Sequence, residues 1–128
     1  MSRTIESGKF FSVTITEDGT VYKVPKSGKV DLARIERLTN RAVEILPKNF
    51  VPVKSDGKQL ISQVPDGELA RESSKKWYPD LYHKVKKIIE TLKKHGIQLG
   101  DMNPSNVFYD SKTDRVIVID TSEIKEIP

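Results

Sequence analysis

One stretch of the chain reads Leu99-Gly-Asp101-Met-Asn-Pro-Ser-Asn106-Val-Phe-Tyr, and Val116-Ile-Val-Ile-Asp120 follows it closely. An aspartate, an asparagine five residues on and a second aspartate closing an apolar strand have a use together. A loop carboxylate orients a hydroxyl, while an amide and a second carboxylate one hairpin away share a divalent cation on nucleotide phosphates. Taken singly, Asp101 and Asn106 are turn formers, because Asx residues and Pro-Ser sequences favour turns. Asp120 tips the balance toward chemistry. An acid that ends a run of four branched apolar residues needs a partner, and a bound cation is a natural one.

Composition limits the setting for that chemistry. The 128 residues suffice for one domain with a real core, and 31% charged residues against 36% hydrophobic ones suit a small soluble domain with much surface. No apolar window approaches the ~18 residues of a membrane span, and Met1-Ser-Arg-Thr-Ile-Glu6 lacks a signal-peptide core, so no membrane partner is expected. Without cysteine there is neither a disulfide framework nor a thiolate metal site, and cytoplasmic residence is the default expectation. The net charge of +4 is modest and the lysines are interleaved with acids, so no nucleic-acid partner is expected.

The chain reads as one α+β domain whose first half runs β-β-α-β-β. Lys9–Thr16 is rich in β-branched and aromatic residues, Glu17-Asp-Gly-Thr20 carries the Asp-Gly hairpin signature, and Val21–Val24 returns. Asp31 caps a helix to about Leu46, with Leu32, Ile35, Thr39, Ala42, Val43 and Leu46 on one face and Pro47 as a stop. Phe50–Val53 and Leu60–Val64 are the next two expected strands, and Pro65-Asp-Gly67 breaks the pattern. A helix over Pro79–Lys94 follows, buried through Leu81, Val85, Ile88, Ile89 and Leu92, with lysines 84, 86, 87, 93 and 94 on its wet faces and Gly96 at its end. Val107–Tyr109 and Arg115–Ile119 form a short hairpin, and Ile124 to Ile127 make an edge strand or a tail. Trp77-Tyr78 reads as lobe packing or an exposed docking patch, and His83 and His95 have no metal-ligand companion.

This order of elements and the Asp101/Asn106/Asp120 set resemble the protein-kinase-like superfamily. Gly8-Lys-Phe10-Phe-Ser-Val13 is similar to the end of a kinase glycine-rich loop, with Glu6 and Phe11 in place of two glycines. Val21-Tyr-Lys23 resembles the strand that sets a branched residue over the adenine and a lysine on the α- and β-phosphates. Read alone, Lys23 is an ordinary solvated strand lysine. The helix after Asp31 is expected to supply its carboxylate partner, Glu36, with Glu44 nearer the helix end as the alternative; helix glutamates also pair simply with surface bases such as Arg34 and Arg37. Ile61-Ser62-Gln-Val64-Pro-Asp-Gly67-Glu68 resembles the interlobe hinge, with Ile61 as gatekeeper, Ser62 and Val64 at the adenine edge and Glu68 reaching the ribose. Asp101-Met-Asn-Pro-Ser-Asn106 matches the catalytic loop, with Leu99-Gly100 replacing the common histidine-arginine pair, and Asp120-Thr-Ser122 stands where aspartate-phenylalanine-glycine is usual.

The resemblance implies a small antiparallel sheet lobe with one helix (1–66) and a reduced helical lobe bearing the catalytic-loop hairpin (67–128). No activation segment follows Asp120 within the remaining eight residues, so the expectation is a minimal, C-terminally truncated kinase similar to bacterial effector or phage-encoded small kinases. ATP and Mg2+ are the implied cofactors. Asp101 is the implied catalytic base, Lys23 the phosphate lysine, and Asn106 with Asp120 the metal ligands. A protein substrate or partner is implied beside the nucleotide, in the cytoplasm or a host's cytoplasm. The contrasting expectation is a pseudokinase, a nucleotide- or partner-binding module favoured by the thinned glycine loop and Thr121-Ser122.

Overall fold

The computed structural model describes residues 3–6, 10–100 and 102–128. Its first layer is an antiparallel five-stranded sheet of β1 (Arg3–Glu6), β2 (Phe11–Ile15), β3 (Thr20–Pro25), β4 (Lys54–Ser55) and β5 (Leu60–Gln63), in spatial order β1-β2-β3-β5-β4. The β2–β3 turn forms as its Asp-Gly pair predicts. Gly19 sits at φ +83°, Thr16 N–H donates to Thr20 C=O at 2.9 Å, and the Asp18 carboxylate takes the Thr20 N–H at 3.1 Å. Register then follows: Val13 faces Lys23 and Ile15 faces Val21, while Val21 and Lys23 face Ser62 and Leu60 on β5. With side chains alternating, these residues share one face of the sheet.

Helix α1 (Leu32–Ile45) starts where Asp31 Oδ1 accepts the Arg34 N–H at 3.0 Å. Its inner face buries Ile35, Leu38, Thr39 and Ala42, with Leu32, Val43 and Leu46 packed beside them. Four side chains tie the helix down. Glu36 accepts the Ser55 N–H at 2.6 Å, Asn40 both donates to and accepts from the Val53 backbone, Arg37 pairs with Glu126 at 2.8 Å, and Thr39 meets Thr121.

The second layer begins with β6 (Glu68–Leu69), a 3₁₀ turn over Ala70–Glu72 and a wide turn at Trp77–Leu81 that leads into α2 (Tyr82–Lys94). Leu81, Val85, Ile88 and Leu92 are buried and Ile89 is partly so, as the apolar spacing predicts. Gly96, at φ +77°, closes the helix. The chain continues as β7 (Ile97–Gln98), β8 (Val107–Asp110), β9 (Arg115–Val118) and β10 (Lys125–Glu126). β6, β8 and β9 form an antiparallel sheet, and β10 pairs with β7, with Ile124 fully buried in front of it. β9 is buried on both faces, through Val116, Ile117 and Val118. No helix is long and apolar enough to cross a membrane among the described residues.

The strand expected over Phe50–Val53 is displaced. Phe50 makes only a lone parallel bridge to Val118, and the Asn40 amide occupies the Val53 backbone, so laddering with β5 starts at Lys54. Pro52, with no N–H to offer, fits that gap. β1, β6, β7 and β10 have no counterpart among the expected elements, apart from the open edge-strand reading of 124–127. Each is two to four residues long and exists through its partner strand rather than its own composition.

Two features of this scaffold are open to measurement. Gly67 lies at φ +106°, and a Cβ there would stand 2.4 Å from the Tyr109 carbonyl oxygen. Gly67→Ala therefore costs roughly 2 kcal/mol or more, read as a lowered melting temperature. The Asp114 carboxylate accepts from the Tyr109 hydroxyl at 2.6 Å and from Lys84 at 3.0 Å, which fastens the β8–β9 turn to α2 and holds its pKa below the ordinary 3.8. An acid shifted down on folding stabilises the fold above its ordinary pKa and loses that contribution as the pH falls through the folded value. Asp114→Asn, which still tolerates the positive φ of 53°, lowers the melting temperature at pH 7, and the difference from the parent shrinks as the pH drops below 3.8.

Candidate active site

Between the two layers lies a cavity of about 640 Å³, in the range that takes a small-molecule ligand. The shared face of the first sheet forms its roof through Val13, Ile15, Val21, Leu60 and Ser62. Leu69 and Phe108 close the other side; the polar lining is Lys23, Thr39, Ser62, Gln63, Arg71, Asn103, Ser105, Asn106, Asp120 and Thr121, of which Lys23, Asn106 and Asp120 meet around Ile119, and Thr39 bonds Thr121 beside Asp120. An apolar slot with polar groups converging at one end suits a ligand with a flat apolar part and a charged tail.

The Ile119 backbone holds this polar end together. Its N–H donates to the Asn106 carbonyl at 3.0 Å, and its C=O accepts from Lys23 Nζ at 2.6 Å. Asp120 is the next residue, so one backbone unit fixes the spacing of Lys23, Asn106 and Asp120. The loop before it is braced as well. Asn103 Oδ1 accepts the Ser105 N–H at 2.8 Å, Asn103 C=O accepts the Asn106 N–H at 3.0 Å, and Arg71 N–H reaches the Pro104 carbonyl at 3.1 Å. Beyond Asp120, its Oδ1 accepts the Ser122 N–H at 3.0 Å.

Burial around Lys23 pushes its pKa below the ordinary 10.5, and the Asp120 carboxylate counteracts part of that shift. Thus the charge that Lys23 presents is expensive, and Asp120 together with the Ile119 carbonyl makes it tolerable. A polyanionic ligand would relieve the same cost. No cluster of three or more His, Cys, Asp or Glu side chains suited to a metal occurs among the described residues. The donor set at this end is one carboxylate and one amide, which fits a Mg2+ ion that completes its shell with phosphate oxygens and water.

Of the residues expected to form the site, Val13, Val21, Lys23, Ser62, Val64, Asn106 and Asp120 line this one cavity. Gly8 and Asp101 lie outside the described residues. Four expected positions differ. Phe10 packs against the core and is absent from the cavity lining, while its carbonyl accepts the Lys26 N–H. Ile61 sits on the opposite face of β5, because the register pairs Val21 with Ser62 and Lys23 with Leu60; Ser62 and Leu60 are the β5 side chains in the cavity. Glu68 is half of the β6–β8 ladder, opposite Tyr109, and does not line the cavity. The Glu36 carboxylate is committed to the Ser55 N–H, so the acid coupled to Lys23 is Asp120.

Sequence reasoning passed over several participants. The Ile119 backbone carries no side-chain signature. In the sequence Thr39 stands in the apolar stripe of α1 with nothing to mark it for chemistry, and Thr121 shows only as a departure from the usual pattern. Leu99-Gly100 also gains a reason: a Cβ on Gly100 would stand 2.3 Å from Glu123 Cβ, so a bulkier residue in front of the loop would displace the segment after Asp120.

No family model and no curated protein matches the chain. Solved structures do match over nearly all of it. WbdD gives a TM-score of 0.62 at 16% identity, covering 100% of this chain and 33% of that one, and has also been solved with the kinase inhibitor LY294002. The granulovirus kinase PK-1 of Cydia pomonella gives 0.62 at 17% identity, covering 98% of this chain and 55% of its own. The Rio2 kinase of Chaetomium thermophilum, in a complex with ADP, Mg2+ and phosphoaspartate, gives 0.65 at 19% identity, covering 97% and 48%. The chain thus spans between 33% and 55% of the length of these proteins. Joined to the order of the elements and the antiparallel roof, these likenesses show that the chain has an α+β, protein-kinase-like fold.

Proposed function

We propose that the chain is an ATP-dependent phosphotransferase acting in the manner of a minimal serine/threonine kinase. The observation that carries this reading is the convergence of Lys23, Asn106 and Asp120 on the Ile119 backbone in one apolar-roofed cavity. Val13, Val21 and Val64 suit an adenine ring, and the Lys23 ammonium suits the α- and β-phosphates. Asn106 and Asp120 would hold Mg2+, which when bound offsets the negative charge of the phosphates. Asp101 then orients the acceptor hydroxyl and takes its proton. A fold shared with a protein solved with ADP and Mg2+ supports the choice of cofactors. Such chemistry is largely positioning and charge stabilisation, which a small scaffold can supply. The setting we propose is cytoplasmic, with a protein as acceptor or partner.

A second reading, a nucleotide-binding module without turnover, is favoured by one specific observation: Glu36 holds Ser55, so Lys23 has no carboxylate from α1. Incubation with γ-labelled ATP and Mg2+, alone and with generic acceptor proteins, separates the two. Transfer of label by the parent and its loss in Asp101→Asn establishes the phosphotransferase. Nucleotide binding without any transfer selects the second reading.

Two variants test the site itself. Asp120→Asn should weaken Mg2+-nucleotide binding roughly tenfold, about the loss of one charge-assisted contact, and leave Mg2+-free binding near the parent level. Unchanged Mg2+-nucleotide affinity would remove Asp120 from the site. Lys23→Met should raise the melting temperature of the unliganded protein at neutral pH and abolish most of the stabilisation by Mg2+-ATP. The sign follows from a base whose pKa falls on folding: its penalty is full below the folded pKa and fades as the pH rises toward 10.5. The melting advantage of Lys23→Met should therefore shrink at alkaline pH.

A further inference from the structure

Thr39 is the buried polar side chain of the core among the described residues, 3% exposed in a helix stripe otherwise made of Ile35, Leu38 and Ala42. Valine has the same shape and would fill the place without a hydroxyl to satisfy. Among the described residues the hydroxyl has one partner, Thr121 Oγ1, at 2.7 Å. Thr121 follows Asp120 directly, and both threonines line the cavity beside Lys23 and Asn106.

We propose that the Thr39–Thr121 hydroxyl pair is the link by which helix α1 sets the position of the Asp120 carboxylate. The inference rests on the reading of Asp120 as a ligand to nucleotide-bound Mg2+. Ile119 fixes Asp120 from one side through its two backbone bonds, to Asn106 and Lys23. On the other side the segment curls into a turn, with Ile124 N–H donating to Thr121 C=O at 3.0 Å and Ser122 N–H to Asp120 Oδ1 at 3.0 Å. That turn is tethered to α1 through the Thr39 hydroxyl. Glu36 and Asn40 bind the same helix to Ser55 and Val53, so the position of α1 on the first sheet is passed to the cation-holding loop. A hydrogen bond of this length is lost once its partners move apart by about 1 Å, so the link is sensitive to small displacements of the helix. Thr39 and Thr121 are positioning residues: they act through Asp120 and need not touch the nucleotide.

The test is the affinity of the full chain for a non-hydrolysable ATP analogue, titrated calorimetrically in Mg2+ and in EDTA, with the ratio of the two as readout. Thr39→Val should reduce the Mg2+ enhancement, the ratio of the two affinities, by about 3- to 10-fold, the worth of one neutral hydrogen bond. Thr39→Ser, which keeps the hydroxyl, should restore the enhancement. Thr121→Val should reproduce the loss from the half-buried side of the pair, and Thr39→Val/Thr121→Val should be no worse than either single variant. An unchanged enhancement in Thr39→Val and Thr121→Val overturns the inference, as does a loss that Thr39→Ser fails to restore or a parallel fall in the EDTA affinity. A parent protein whose nucleotide affinity ignores Mg2+ overturns the underlying reading of the site as well, and is distinguished by appearing before any substitution is made.

Discussion

The polar end of the cleft depends on a lysine that the fold has largely withdrawn from water. Burial makes the Lys23 charge costly, and two things offset the cost: the Ile119 carbonyl at 2.6 Å and the neighbouring Asp120 carboxylate. Both sit at the end of β9. The strand therefore has to arrive at one place, and much of the second layer serves that end. Its three buried valine and isoleucine residues anchor it in the core, while Asn49 grips it twice, Nδ2 donating to the Val116 carbonyl at 2.9 Å and its own carbonyl accepting the Val118 N–H at 2.8 Å. The segment after α1 is thus bound to the strand that ends in Asp120.

That arrangement makes α1 the brace of the site, although it supplies no ion-pair partner to Lys23. Its polar side chains reach the Val53–Ser55 backbone, Thr121 and Glu126. The exposed Arg37–Glu126 pair is worth little in water. The three less exposed contacts matter more, because a buried polar group that loses its partner keeps the full cost of desolvation.

Much of this was legible in the sequence wherever a local rule applied. Helices α1 and α2 were readable from apolar spacing, the Asp31 cap and Gly96, and the first hairpin from Asp18-Gly19. The acid at the end of an apolar strand was readable as an anomaly in need of a partner. What escaped was set by tertiary register. Leu60-Ile61-Ser62 carries an apolar residue on each face of β5, so only the pairing with β3 decides that Ser62, not Ile61, faces the cavity. Glu36 lies at a reasonable helical position for Lys23, yet its carboxylate accepts the Ser55 N–H, a long-range partner that no local pattern announces. The two-residue strands had no composition to announce them.

The Ile119 junction also bears on how such a site drifts over time. Ile119 enters both of its hydrogen bonds through main-chain atoms, which every amino acid possesses and only proline lacks in part, while one of the two partners is the Lys23 side chain. Selection on side chains therefore reaches this junction through Lys23, whereas replacement of Ile119 by any residue but proline leaves both main-chain groups in place. A cleft assembled in part on main-chain atoms can keep its geometry at such a junction while the side chain there changes.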